Sequence, residues 1–138
     1  MERDEVILID THLAIWITTD PELIGPRSKA LIEEAASQER ILISSISFWE
    51  IALLVSKRRL RIGKSPSELR LELLETGVTE LPITGPISIL AVDLKDLHGD
   101  PADRFIAATA VIHGATLMTA DADLLRWLHA IQRQDASK

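Results

Sequence analysis

Four short segments rich in β-branched and apolar residues punctuate the chain: Val6–Ile9, Arg40–Ser44, Val78–Pro82 and Ala115–Thr119. Their length and composition predict strands. Pro82 puts the third at a sheet edge. Between them, apolar residues recur three or four apart, the spacing of helices with one buried face. Leu13–Ile17 is apolar enough for a buried turn or two, and Leu23, Ile24, Ala30, Leu31 and Ala35 predict an amphipathic helix to about Gln38. Ser45 or Ser47 opens a helix through about Arg59, with Ile46, Trp49, Ile51, Leu54 and Val55 facing inward. Ser67 onward, with Leu69, Leu71, Leu73 and Leu74, is a helix that ends at Gly77, and a short helix follows from Pro86 to about Val92. Asp100 opens a helix running to His113, stopped by Gly114. Asp121 or Asp123 caps a last helix containing Leu124, Leu125, Trp127, Leu128 and Ile131, and the polar tail from about Gln132 is expected to fray. Strand and helix alternate throughout with no repeat or linker. The pattern predicts an α/β fold, a mostly parallel sheet with helices on both faces, in one domain over residues 1–138.

The first strand carries a chemical signal. Val6-Ile7-Leu8-Ile9 runs directly into Asp10. A buried strand can place a carboxylate only at its end, so Asp10 belongs at the carboxyl mouth of a central strand, the edge where open α/β sheets bind ligands. Strand carboxyl ends and helix amino ends share that edge. Glu50 lies early in the helix after the second strand, Asp103 in the first turn of the helix opened by Asp100, and Asp121 just past the last strand. The topology therefore gathers Asp10, Glu50, Asp103 and Asp121 on one rim. Two carboxylates about 4 Å apart repel by roughly 4 kcal/mol at an effective dielectric near 20. Protonation or a divalent cation relieves that repulsion, and all-oxygen ligands with no His or Cys favour Mg²⁺ or Mn²⁺. Such a centre activates water and stabilises charge on a phosphate, which points to phosphodiester hydrolysis with nucleic acid as the natural substrate.

Each acid also has a purely structural reading. Ser47-x-x-Glu50 has the form of a capping box. Asp100-Pro101-x-Asp103 has an N-cap, a proline at the first helical position and an acid in the first turn. Asp121 or Asp123 can simply cap the last helix. The conjunction favours chemistry, because independent caps have no reason to collect where Asp10 already sits.

Composition narrows the classes. The 138 residues are 46% hydrophobic and 26% charged, the make-up of a globule with a proper core. The absence of cysteine excludes a disulfide scaffold and a zinc-thiolate site and suits a reducing, cytoplasmic setting. The charged start Met1–Glu5 is not a signal peptide, and the uncharged stretch 105–120 is broken by His113-Gly114, so no membrane span is expected. A net charge of −6 argues against bulk polyanion binding without excluding a local nucleic-acid site. No Ser-His-Asp order or glycine-rich phosphate loop is present. Asp10-Thr11-His12 also lacks the second aspartate of a phosphatase nucleophile motif.

The motifs Ile7-Leu8-Ile9-Asp10-Thr11-His12, Ser44-x-x-Ser47-x-Trp49-Glu50-Ile51, Asp100-Pro101-x-Asp103-Arg104-x-Ile106-Ala107-Ala108-x-Ala110 and Leu117-x-Thr119-Ala120-Asp121 together resemble the PIN domain, and more narrowly the VapC-type toxins of bacterial toxin–antitoxin pairs. The likeness spans Val6 to Leu125, and its specificity lies in the ordered set. It implies a three-layer α/β/α sandwich and Mg²⁺- or Mn²⁺-dependent endoribonuclease activity. The implied metal-binding quartet is Asp10, Glu50, Asp103 and Asp121, and Thr119 is the hydroxyl that orients a carboxylate or water. It also implies an RNA substrate, inhibition by a small VapB-like antitoxin, and a homodimer. A non-catalytic partner-binding module on the same fold is the alternative. Lys57, Arg58, Arg59, Arg61 and Lys64 form a basic patch, either a grip for RNA or an antitoxin, or a helix-end cap. Arg104 either touches substrate or turns to solvent. His12 is the histidine nearest the site. Trp16, Trp49 and Trp127 read as core or interface residues rather than base-stacking platforms.

Overall fold

The computed structural model describes residues 5–127, 129 and 131–138. Strand β1 (Ile7–Ile9) lies at the centre of a five-stranded sheet. β2 (Ile41–Ser44) and β3 (Val78–Leu81) extend it on one side; β4 (Thr116–Thr119) and β5 (Arg133–Asp135) extend it on the other. The order is β3-β2-β1-β4-β5 and every pairing is parallel. All three residues of β1 are buried, which is why it is apolar on both faces.

Alternation along the strands sorts residues into two cores. Ile7, Ile9, Ile41, Ile43 and Met118 point into one layer with Leu13, Ile51, Leu69 and Leu73. That layer is covered by α1 (Thr11–Thr19), α2 (Pro26–Ser37), α3 (Ser45–Ser56) and α4 (Pro66–Glu75). Leu8 and Leu117 point the other way, into a layer with Ile87, Ile106, Ala107 and Leu124. There α5 (Gly85–Asp93), α6 (Pro101–His113) and α7 (Ala122–Arg126) cover the sheet. The three-layer sandwich is thus the consequence of a period of two in β1, β2 and β4. Among the described residues, no helix is long and apolar enough to cross a membrane.

Several expectations change. Ser44, not Ser45 or Ser47, caps α3, accepting from the Ile46 N–H at 3.2 Å. Trp49 is 51% exposed rather than inward-facing, and Leu71 is exposed on α4. The last helix stops at Arg126, short of Trp127 and Ile131, while Leu128 falls outside the described residues. Trp127 leaves the helix because its side chain is buried in the second core and its indole N–H donates to the Lys95 carbonyl at 2.8 Å. That burial outweighs a further turn of a five-residue helix, which has little stability of its own.

The tail from Gln132 does not fray: it forms β5. The Leu117 N–H donates to Gln132 O, and the Ala136 N–H to Thr119 O, so β5 is an edge strand made by its backbone rather than its polar side chains. Beyond it, the chain docks on the amino end of α2. Gly25 offers no side-chain cap there, and the Gly25 and Arg27 N–H groups donate to Ala136 O and Lys138 O, each at 2.9 Å. Ser28 Oγ donates to Asp135 O at 3.0 Å. A Cβ on Gly25 would lie 2.0 Å from the Lys138 backbone. Gly25→Ala therefore displaces residues 136–138, at a cost of about 1–3 kcal/mol typical of overpacking. Hydrogen exchange should show faster exchange at 133–138 with the rest of the sheet protected; unchanged protection there would contradict this docking.

Candidate active site

Parallel strands direct all their carboxyl ends to one rim, and β1 and β4 are adjacent. Asp10 follows β1 and is only 2% exposed. One of its oxygens, Oδ1, caps α1 by accepting from the Leu13 N–H at 3.0 Å. The other, Oδ2, accepts from the Thr119 hydroxyl at the end of β4. Thr119 Oγ1 in turn accepts from the Asp121 N–H at 3.0 Å. The Thr119 hydroxyl thus links two acids across neighbouring strands, its proton committed to one and a lone pair to the other's backbone. Asp121 Oδ2 caps α7 through the Leu124 N–H at 3.3 Å. Capping and rim placement are compatible roles for Asp10 and Asp121, not competing ones.

The third acid arrives on α6. Asp100 caps that helix, its Oδ1 accepting from the Asp103 N–H at 3.2 Å. Asp103 is turned toward His98, whose Nε2 lies 3.2 Å from Asp103 Oδ2, 3.9 Å from Asp121 Oδ2 and 4.0 Å from Asp123 Oδ2. One donor atom each from His98, Asp103 and Asp121 falls within 4.8 Å of the others. Glu50, half-buried on α3, stands outside that trio but is electrostatically coupled to Asp10 and Asp103. Ser47 forms no capping box with it: its buried hydroxyl accepts from Thr11 Oγ1 at 3.0 Å.

Crowding shows in the acid strengths. Burial, then the charges of Asp100, Asp121, Glu50 and Asp10, pushes the Asp103 carboxyl up to about 8. Burial also raises Glu50, with Asp100 and Asp10 adding to it and His12 opposing. Asp10 is raised by burial and by Asp121, against hydrogen bonds from Thr119 and Leu13. Lone acids on a surface do not behave this way; a set that shares one space does.

Two residues depart from what the sequence suggested. His98, not His12 alone, adjoins the acids, and nothing in its polar surroundings at 93–99 marked it. Its Nδ1 accepts from the Asp100 N–H at 3.2 Å, so the neutral ring carries its proton on Nε2, facing the carboxylates. That nitrogen is buried without a well-aligned acceptor. Arg104 touches neither open rim nor solvent alone. Its guanidinium donates to the carbonyls of Ala91, Val92, Leu94, Leu97 and His98, closing the carboxyl end of α5 and fixing the loop that carries His98. In the basic patch, Lys57 caps α3 and Lys64 is paired with Glu72.

The donor chemistry suits a hard cation. Carboxylate oxygens converge without enough positive charge to balance them, and His98 presents a proton rather than a lone pair. The arrangement defines a doubly wound α/β domain with an acid-lined ligand rim. A PIN domain model matches residues 7–127. Ribonuclease VapC22 of Mycobacterium tuberculosis is 33% identical over 124 residues, covering 89% of this chain and 92% of that protein. Two solved structures share the fold: VapBC2 from Rickettsia felis bound to a promoter DNA fragment, and DNA-bound VapBC from Salmonella typhimurium. The first has a TM-score of 0.68 at 20% identity and covers 94% of this chain and 97% of its own. The second has a TM-score of 0.68 at 18% identity, with coverage of 95% and 98%. The chain belongs to the PIN domain family.

The raised acids set a pH dependence. Unfolded Asp103 ionises near 4, whereas the folded carboxyl keeps its proton to about 8. Raising pH across that window favours the unfolded chain, and Glu50 and Asp10 act in the same direction. In chelator, the melting temperature should be higher at pH 5.5 than at pH 8, and Mn²⁺ or Asp103→Asn should flatten the difference. A chelated protein more stable at pH 8, with Asp103→Asn unchanged, would contradict the shared-charge account.

Proposed function

We propose that this chain is a metal-dependent endoribonuclease, the toxin of a toxin–antitoxin pair. The observation that carries the reading is the hydrogen-bonded junction of Asp10, Thr119 and Asp121 beside Asp103, in a chain 33% identical to a ribonuclease over most of both lengths. Asp10, Glu50, Asp103 and Asp121 hold Mg²⁺ or Mn²⁺. A divalent cation in this position supplies a Lewis acid for the phosphate and a water acidic enough to attack it.

The protein's own contribution is placement. Thr119 acts by position: with its proton on Asp10 and its lone pair on the Asp121 N–H, it holds both carboxylates at fixed separation and has no proton free for chemistry. Burial of Asp10 favours giving its charge to a cation rather than to water. His98 sets its Nε2 3.2 Å from Asp103 Oδ2 without an aligned hydrogen bond, beside the ligands rather than among them. The α5–α6 connection held by Arg104 keeps that ring beside Asp103. The solved relatives named VapBC support a VapB-like antitoxin as partner; a homodimer and a cytoplasmic setting belong to the same reading.

Asp10→Asn should abolish divalent-dependent RNA cleavage, by a hundredfold or more, with the circular dichroism spectrum unchanged; undiminished cleavage would remove Asp10 from the site. Thr119→Val keeps the shape and removes the hydroxyl. It should weaken Mn²⁺ binding by about tenfold, the order seen when groups that orient metal ligands are lost. Isothermal titration measures this directly, and wild-type affinity would deny Thr119 its positioning role.

A further inference from the structure

Beside the acid rim lies a hollow of about 310 Å³ lined by His12, Trp16, Ala120, Asp121 and Ala122. This volume is at the lower end of small-ligand sites. Asp121 belongs to both hollow and rim. The His12 ring is within electrostatic reach of Asp10 and Glu50. His12 and Trp16 stand four apart on α1, so their rings share one helix face. The same helix is capped by Asp10, which ties the position of both rings to the site. Trp16 is half-buried, its body packed on the first core, while His12 is exposed.

We infer that this hollow is a nucleobase subsite, receiving a base next to the phosphate at the rim. The inference rests on the ribonuclease reading and deepens it. The chemistry is selective for a flat, neutral ligand. An indole and an imidazole offer π faces, two alanines leave room beside them, and single-stranded RNA is recognised by unstacked bases laid on aromatic rings. The hollow on the other side of the rim is less suited. It holds Asp96 and Asp123 together with His98 and Trp127, but that indole is buried with its N–H on the Lys95 carbonyl, and Arg126 is tied to Asp123 at 2.8 Å. The His12–Trp16 hollow has no acid except the one that belongs to the rim. A nucleotide placed here directs its phosphate toward the carboxylates and their cation and its base toward Trp16.

The test uses the full chain, ¹⁵N-labelled, in chelator so that nothing is cut. Adenosine and uridine 5′-monophosphates and short single-stranded RNA are titrated while the three indole N–H signals are followed, with Trp16→Phe assigning Trp16. The Trp16 signal should shift while those of Trp49 and Trp127 stay. Ala122→Leu fills the hollow from an exposed position and leaves the fold intact; it should weaken short-RNA binding about tenfold, the scale of losing one stacked base. His12→Ala should weaken it by less. With Mn²⁺, Ala122→Leu should raise KM and alter the base preferred beside the cut, with kcat nearly unchanged. An indole that ignores nucleotides, together with wild-type KM and base preference in Ala122→Leu, overturns the subsite and leaves the hollow to a protein partner. Wild-type protein that cuts no RNA defeats the ribonuclease reading instead, and the indole titration then decides the hollow alone.

Discussion

Burial of the Asp10 carboxylate at the end of the central strand is the constraint to which the rest of the rim responds. A carboxylate out of water is costly unless hydrogen bonds or a counter-charge hold it. Here a helix amino terminus takes one oxygen and a threonine hydroxyl takes the other. That threonine must end the neighbouring strand, which requires β4 to lie beside β1 in register, with Ile9 opposite Met118. The strand order and the cap of α1 together let the protein solvate this single acid from within.

The same logic explains why the acids remain unbalanced. The two hydrogen bonds at Asp10 engage one lone pair on each oxygen without supplying a full positive charge. His98 places its Nε2 beside Asp103 without an aligned hydrogen bond, and the guanidinium nearest in sequence, Arg104, is spent on five backbone carbonyls. The fold thus keeps positive charge close to the site but out of it, leaving the clustered acids short of positive charge. Asp103, raised to about 8, carries the clearest mark of that deficit.

Much of this was legible in the residues. Val6–Asp10 announced a buried strand ending in an acid, and strand–helix alternation was enough to gather Asp10, Glu50, Asp103 and Asp121 at one edge. The illegible parts had physical reasons. β5 is held by backbone hydrogen bonds and a buried Ala136, so its polar side chains Arg133, Gln134 and Asp135 concealed it. Trp49 lies on a helix apolar nearly all round, where periodicity cannot say which large residue is left outside. His98 reaches Asp103 through a loop whose path is set by Arg104, a long-range arrangement that no local pattern encodes. Trp16 is both core and lining, a division by atom that residue-level burial hides.

Asp103 and Arg104 are consecutive, yet one faces the acid cluster and the other grips the loop behind it. A helix turns about 100° per residue, so this division of labour is a matter of angular phase. Slipping α6 by one position, so that Arg104 stands where Asp103 does, would bring the guanidinium round toward the rim and carry the acid away from it, exchanging an anion for a cation among the clustered acids. Length is therefore under tighter constraint than composition between the Asp100 cap and Arg104. Losing one residue between the Asp100 cap and Asp103 would reverse the sign at this place, and gaining one would leave it neutral, with Ala102 there.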